Sequence, residues 1–196
     1  MDPPVPVDIV MRLLDTHSVD ERHISCMAAA LRESRQLVGR DPETGQSVRP
    51  EEGGTWSGAL VYLIFAEQIG SCFHPIVPTE EAPTQGGLRQ SLRWFGGFTK
   101  TEAHLLAELR NRLAHDFTLQ GEDKEIKFTL SDRSHEPVVE RLSSEYVHVG
   151  LPALAIRIEQ LQFSVLLAAD EGRLGCHHAG GIDGVVKRFA FAVLRP

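Results

Sequence analysis

The sequence predicts an all-α fold, an up-and-down bundle of four to five helices with a small β-hairpin inserted before the last long helix. Three observations carry this. Apolar residues recur at intervals of three and four in several separated stretches. Two stretches are preceded by a Ser or Thr with Glu three residues on, Ser18 with Glu21 and Thr99 with Glu102, the spacing of a helix-opening capping box. The alternation expected of a strand is confined to a short run, KEIKFTL from Lys124 to Leu130. A chain of 196 residues suffices for one sizeable core, so the whole chain is read as a single domain, with its core over about 18–170 and residues 171–196 as a tail.

In chain order, a Pro-rich lead gives way to a short helix over Val7 to Leu14. The box at Ser18 opens an amphipathic helix over Val19 to Val38, with Ile24, Met27, Leu31 and Val38 on its apolar stripe and Gly39 just past its end. Asp41-Pro42, Gly45, Pro50 and Gly53-Gly54 then make a loop, because their backbone preferences favour turns. Trp56 to Phe73 is apolar on nearly every side and is taken as the central, buried helix. Pro75, Pro78 and Pro83 hold the next segment out of helix. Leu88, Leu92 and Phe95 form a short third stripe, ended by Gly96-Gly97. The second box starts a helix whose Leu106, Leu109 and Leu113 face the core. KEIKFTL and Pro137 to Leu142 are paired as the hairpin, and Leu151 to Ala169 returns to helical spacing and closes the bundle. The Gly-rich end from Gly172, with its apolar run Val185 to Leu194, packs either on the bundle or on a second copy.

Composition narrows the function classes. A hydrophobic share of 42% and a charged share of 24% are those of an ordinary folded protein. The most apolar segment, Ala59 to Phe65, falls far short of the ~20 residues that cross a bilayer, and the acidic MDPPVPVD start does not resemble a secretory leader. The expectation is a cytoplasmic protein with no membrane association. Cys26, Cys72 and Cys176 form no CxxC pair, and Cys176-His177-His178 lacks spaced partners, so no metal site and no cofactor are expected and the latter trio is read as an exposed tail. The net charge of −7 argues against a general nucleic-acid coat. Locally the balance reverses. Between Gly86 and Arg112 stand Arg89, Arg93, Lys100, Arg110 and Arg112 against only Glu102 and Glu108, the makings of a phosphate-attracting patch.

The stretch Leu105 to Phe117, LLAELRNRLAHDF, concentrates the chemistry. Arg110, Asn111 and His115 bring together a fixed cation, an amide and a group that titrates near neutrality. These groups suit a phosphodiester: a base at the 2′-hydroxyl, donors on the developing phosphorane charge, and a proton for the leaving oxygen. His115 would serve as base or acid, Arg110 would hold a nonbridging oxygen in fork geometry, and Asn111 would orient substrate or the histidine. Arg89, Arg93, Lys100 and Arg112 are the accompanying candidates for phosphate contact, and for RNA contact under the resemblance that the motif carries.

RNRLAH, Arg110 to His115, at the end of a long helix resembles the signature of the HEPN superfamily, an Arg followed by four to six residues and a His, with a polar residue after the Arg. The likeness is strongest over Thr99 to Phe117 and extends loosely over Ser18 to Ala169. It implies a helical bundle that dimerises through the motif-bearing helices and a metal-independent endoribonuclease that leaves a 2′,3′-cyclic phosphate. It also implies a toxin or defence setting with an antitoxin protein as partner. The family includes inactive members that keep the bundle for RNA or protein binding, which is the alternative reading. Arg12 to His17, Arg141 to His148 and Arg173 to His178 share the bare spacing, but only Arg110 is followed by an amide and preceded by a capped amphipathic helix.

The spacing makes a geometric demand. Residues five apart lie about 140° apart around a helix, so an unbroken helix points Arg110 and His115 away from each other. Either the helix stops near His115, or a second chain completes the site. A purely structural role also fits, since cations near a helix C-terminus are favoured by the macrodipole.

Overall fold

The computed structural model describes residues 3–17, 24–48, 56–77, 86–115, 119, 126–133 and 136–189. Several sequence readings fall outside them: the capping box at Ser18 and Glu21, the turn residues Pro50 and Gly53-Gly54, Pro78 and Pro83, Asp116 and Phe117, the start of KEIKFTL, and the apolar run beyond Phe189.

The chain is mixed α/β rather than an all-α bundle. Among the described residues there are seven helices, α1 (Val7–Leu14), α2 (Cys26–Leu37), α3 (Trp56–Cys72), α4 (Gly87–Trp94), α5 (Lys100–His115), α6 (Leu151–Asp170) and α7 (Gly181–Phe189). There are also five strands, β1 (Phe73–Pro75), β2 (Lys127–Ser131), β3 (Val139–Arg141), β4 (Tyr146–Gly150) and β5 (Leu174–Cys176).

Helix α3 is the hub, as its all-round apolarity predicts. Tyr62, Leu63, Phe65, Ala66 and Ile69 are each no more than 1% exposed, and α2, α4, α5 and α6 all pack on this helix. Burial on that scale is the main favourable term of the fold, at roughly 25 cal/mol per Å² of apolar surface. Helix α2 begins later than its stripe suggests: Ser25 caps it, accepting from the Ala28 amide at 3.0 Å. The box at Thr99 forms as read, with the Thr99 amide donating to Glu102 Oε2 at 2.7 Å and the Glu102 amide to Thr99 Oγ1 at 3.2 Å. Leu106, Leu109 and Leu113 face inward. Helix α6 is long and apolar enough to cross a membrane by length and composition, and its Leu154, Ile158, Leu161 and Val165 are buried in the core.

The expected hairpin is replaced by a three-stranded sheet in the order β2-β4-β3. Strand β2 does not pair with β3. It runs parallel to β4, with Phe128 opposite Val147 and Leu130 opposite Val149, while β3 lies antiparallel on β4's other edge. Tyr146–Gly150 alternates as strictly as KEIKFTL does, and it supplies Val147 and Val149, both fully buried. β3 has no comparable apolar face, so the central place goes to β4. The true hairpin is β3–β4, closed where Leu142 N–H donates to the Tyr146 carbonyl at 3.0 Å.

Over the described residues, the segment read as a tail is structured. Strand β5 pairs antiparallel with β1, Phe73 opposite Cys176, and Val185 and Phe189 of α7 are buried. Cys176-His177-His178, read as an exposed tail, therefore sits at the edge of this sheet. The His177 ring keeps an exposed face yet stacks on His74 at 5.3 Å between centroids, and its Nε2 lies 2.9 Å from the Gly70 carbonyl. Beside it, burial and then the neighbouring Cys176 push the Cys72 thiol up to about 12, so this thiol stays protonated and inert at neutral pH.

Two close approaches fix the helices. Arg35, buried in α2, gives Nε to Glu159 Oε1 at 2.9 Å and Nη2 to Oε2 at 2.6 Å. Its Nη1 serves Thr16 Oγ1 and the carbonyls of Pro42 and Glu43. Tyr62 donates to Glu159 at 3.0 Å, and burial followed by the Glu159 charge raises the pKa of its hydroxyl. The second approach is between backbones: a Cβ on Gly70 would collide with the Gly87 carbonyl, and one on Gly87 with Ser71 Oγ and the Glu67 carbonyl. Gly70→Ala is expected to cost about 1–3 kcal/mol, the range for overpacking a tight contact. Gly172→Ala, at φ +64° with no neighbour within 4 Å, meets backbone strain alone. A urea titration in which Gly70→Ala unfolds at the wild-type midpoint would refute this account of the α3–α4 crossing.

Candidate functional site

Helix α5 delivers the three predicted catalytic residues, and it places them differently from one another. The described part of α5 runs unbroken through Arg110 and His115, so the two side chains leave the helix about 140° apart, as its ~3.6-residue repeat requires. Asn111 and His115, one turn apart, are exposed, and Lys100 and His104 stand exposed on the same helix. Arg110 is half-buried at the edge of this stripe. Its guanidinium is committed: Nη2 pairs with Glu67 of α3, and Nη1 donates to Asn111 Oδ1 at 3.0 Å. Its Nε is enclosed without a partner.

Arg110 and Asn111 line a pocket of about 200 Å³ together with Glu67, Gly86, Leu88, Arg89 and Ala107. Three elements meet there: the last turns of α3, the first turn of α4 and the middle of α5. Gly87, pressed onto α3 at Gly70 and Glu67, is what brings the start of α4 so near the Glu67–Arg110 pair. No side chain caps α4 at Gly86, whose φ is +88°, so the positive end of that helix opens toward the pocket. His115 is not among the lining residues.

The four expected RNA-contacting cations separate. Arg89 reaches the pocket. Lys100 is exposed in the first turn of α5. Arg93 is half-buried and donates to the Phe98 carbonyl at 2.8 Å. Arg112 points inward and is only 7% exposed. It pairs with Glu108 at 2.7 Å, donates to the Ile126 carbonyl, and lies over the Phe128 ring at 5.4 Å. Arg112 thus fastens α5 to the sheet rather than offering a charge to solvent. Glu67 is the site residue that sequence reasoning passed over. Its signal was legible in retrospect: it is the only acid in the seventeen residues of α3, and such an acid needs a cation beside it.

A second polar constellation lies on the outer face of the three-stranded sheet. His148 Nε2 is 2.7 Å from Glu136 Oε2, and its Nδ1 is 2.9 Å from Thr129 Oγ1. Among the described residues, no group of three or more His, Cys, Asp or Glu side chains is placed to hold a metal ion.

Fold and site together define a mixed α/β domain with a small basic pocket at a three-helix junction and an exposed Asn–His pair alongside. No protein family, curated protein or solved structure matches the chain.

Proposed function

We propose that the chain is a metal-independent endoribonuclease whose site is completed between two copies. The observation that carries this reading is the exposure of Asn111 and His115 on one stripe of α5 while Arg110 lines the adjoining pocket. Within one chain the histidine lies outside the pocket. A second α5 laid against the first would bring its His115 to the pocket of its neighbour, in a two-fold contact where each chain gives and receives the same groups. The resemblance of RNRLAH to the HEPN signature supports the residue roles and the pairing; the sheet-bearing fold lends it nothing.

The chemistry follows from the groups. Arg110, with Asn111 beside it, stabilises the nonbridging oxygens as charge develops on phosphorus. His115 takes the proton of the 2′-hydroxyl as its oxygen attacks, or returns a proton to the departing 5′-oxygen. The P–O5′ bond breaks, leaving a 2′,3′-cyclic phosphate and a free 5′-hydroxyl. The second reading, a binding module without catalysis, is favoured by one observation: Glu67 already occupies Arg110.

Single-stranded RNA incubated with the protein in EDTA separates the two. Cleavage to cyclic-phosphate ends is expected. Cleavage that appears only on adding a divalent metal contradicts the mechanism, and binding without cleavage selects the second reading.

A further inference from the structure

The Glu67–Arg110 pair raises the question of why a pocket lined by two arginines holds a carboxylate. Glu67 sits on α3, otherwise free of acids and with no Lys or Arg in its last turn. It reaches across to α5 rather than to solvent, and both side chains of the pair are largely covered, Arg110 at 22% and Glu67 at 26% exposure. Around it the groups all favour a negative charge. Arg110 offers a guanidinium fork, Arg89 stands on the same pocket wall with no carboxylate partner among the described residues, Asn111 contributes an amide, and α4 begins there uncapped. Arg110 Nε is enclosed and has no hydrogen-bond partner, so the guanidinium's donors are not all used by Glu67 and Asn111. With two fixed cations and one acid, the pocket keeps an excess positive charge even with the pair formed.

We infer that Glu67 is an internal stand-in for a phosphate group: the pocket is a phosphate-binding subsite for a nucleotide, and Glu67 must release Arg110 before the phosphate takes its place. This rests on the ribonuclease reading only for the choice of nucleotide as the bearer of the phosphate. A carboxylate and a phosphate present the same pair of acceptor oxygens to a guanidinium, and the phosphate adds charge and a third oxygen for Arg89 and the α4 amides. Glu67 then sets a threshold. A weak anion does not displace it, whereas a phosphate held at several points does. In the unliganded protein it also keeps Arg110 from lying buried with no counter-charge.

The test is binding, so that it stands apart from cleavage. A fluorescein-labelled 2′-O-methyl oligonucleotide, which lacks the attacking hydroxyl, and inorganic phosphate are titrated side by side into the full chain. Glu67→Gln keeps the shape and removes the competing charge. It should tighten binding of the oligonucleotide by about tenfold, the change expected when one charge-assisted hydrogen bond passes from the internal carboxylate to the bound phosphate. Arg110→Ala and Arg89→Ala should each weaken it by a similar factor. Phosphate that competes with the oligonucleotide places both in the same pocket; phosphate that binds alone makes the free ion the ligand. Weaker or unchanged binding by Glu67→Gln would overturn the inference, since Glu67 would then be an anchor that orients Arg110, and so would an absence of binding by every form. Should Glu67→Gln not fold, Glu67→Asp makes the same distinction, because it withdraws the carboxylate by one methylene: a withdrawn competitor tightens binding and a withdrawn anchor weakens it. A protein that binds as described and cleaves nothing would retire the ribonuclease reading and leave this one standing.

Discussion

Arg110→Ala and His115→Ala are each expected to lose RNA cleavage by a factor of about 10² to 10⁴, the usual worth of a positioned acid or base or of a charge aimed at the transition state. An equimolar mixture of the two inactive variants is expected to recover activity. If each site joins Arg110 of one chain to His115 of the other, a mixed dimer carries one intact site and one doubly altered site. Random exchange makes half of the dimers mixed, so recovery should reach about a quarter of the wild-type rate. Two inactive variants that stay inactive when mixed, after exchange of subunits has been shown by a tagged copy, would rule out the shared site. Full loss in Arg110→Ala with none in His115→Ala would assign the chemistry elsewhere.

Glu159→Ala is expected to lower the free energy of unfolding by about 3–5 kcal/mol, the cost of leaving a buried charge without its partner. Arg35 is 4% exposed, and two of its nitrogens bond the Glu159 carboxylate, so removing that carboxylate leaves a largely buried charge without its counter-charge. Its remaining contacts reach Thr16, Pro42 and Glu43, and Tyr62 loses its acceptor as well. The loss should therefore appear as release of the 40s loop and of α1 from α6, not only as a lower midpoint. The double replacement Arg35→Met with Glu159→Met should be much less harmful than Glu159→Ala alone, because it removes both charges. Urea titrations of the three forms decide it. A single variant within about 1 kcal/mol of wild type would mean that water reaches Arg35.

The helices were the legible part of this chain, and the reason is periodicity. A helix advertises itself over ten or more residues, so α3, α5 and α6 were found nearly at their observed limits, and the box at Thr99 marked its helix start to the residue. The sheet was not legible, because strand pairing is a choice among short segments of similar pattern. KEIKFTL had two possible partners, and the valines that decided between them lie in five residues running straight into α6. β1 and β5 span three residues each and lie about a hundred positions apart, too short and too distant for any local pattern to join. At the site, the sequence picked out Arg110 and Asn111, which share the pocket, together with His115, which lies outside it, and grouped Arg112 with Arg89 as cations for RNA. Charge alone could not show that Arg112 turns inward to Glu108 and Phe128 while Arg89, one helix earlier, turns toward the pocket. Glu67 was legible only by half: an acid in an apolar helix shows that a partner exists, and only the packing of α3 on α5 shows which.

The contact of Gly70 with Gly87 has a further consequence for motion. Two backbones in direct touch leave no side chain to act as a bearing, so α3 and the start of α4 cannot slide or tilt past each other without unpacking the core. The wall that holds Glu67 and the wall formed by Gly86, Leu88 and Arg89 therefore move as one piece. Between these two walls, opening is left to the side chains of Glu67 and Arg89, with Arg110 facing them from α5, and side-chain rotamer changes are faster than the microseconds to milliseconds of hinged elements. A ligand should thus be admitted on a fast clock, and spectra of the free and occupied protein should differ at these few residues while the helix backbones keep their positions.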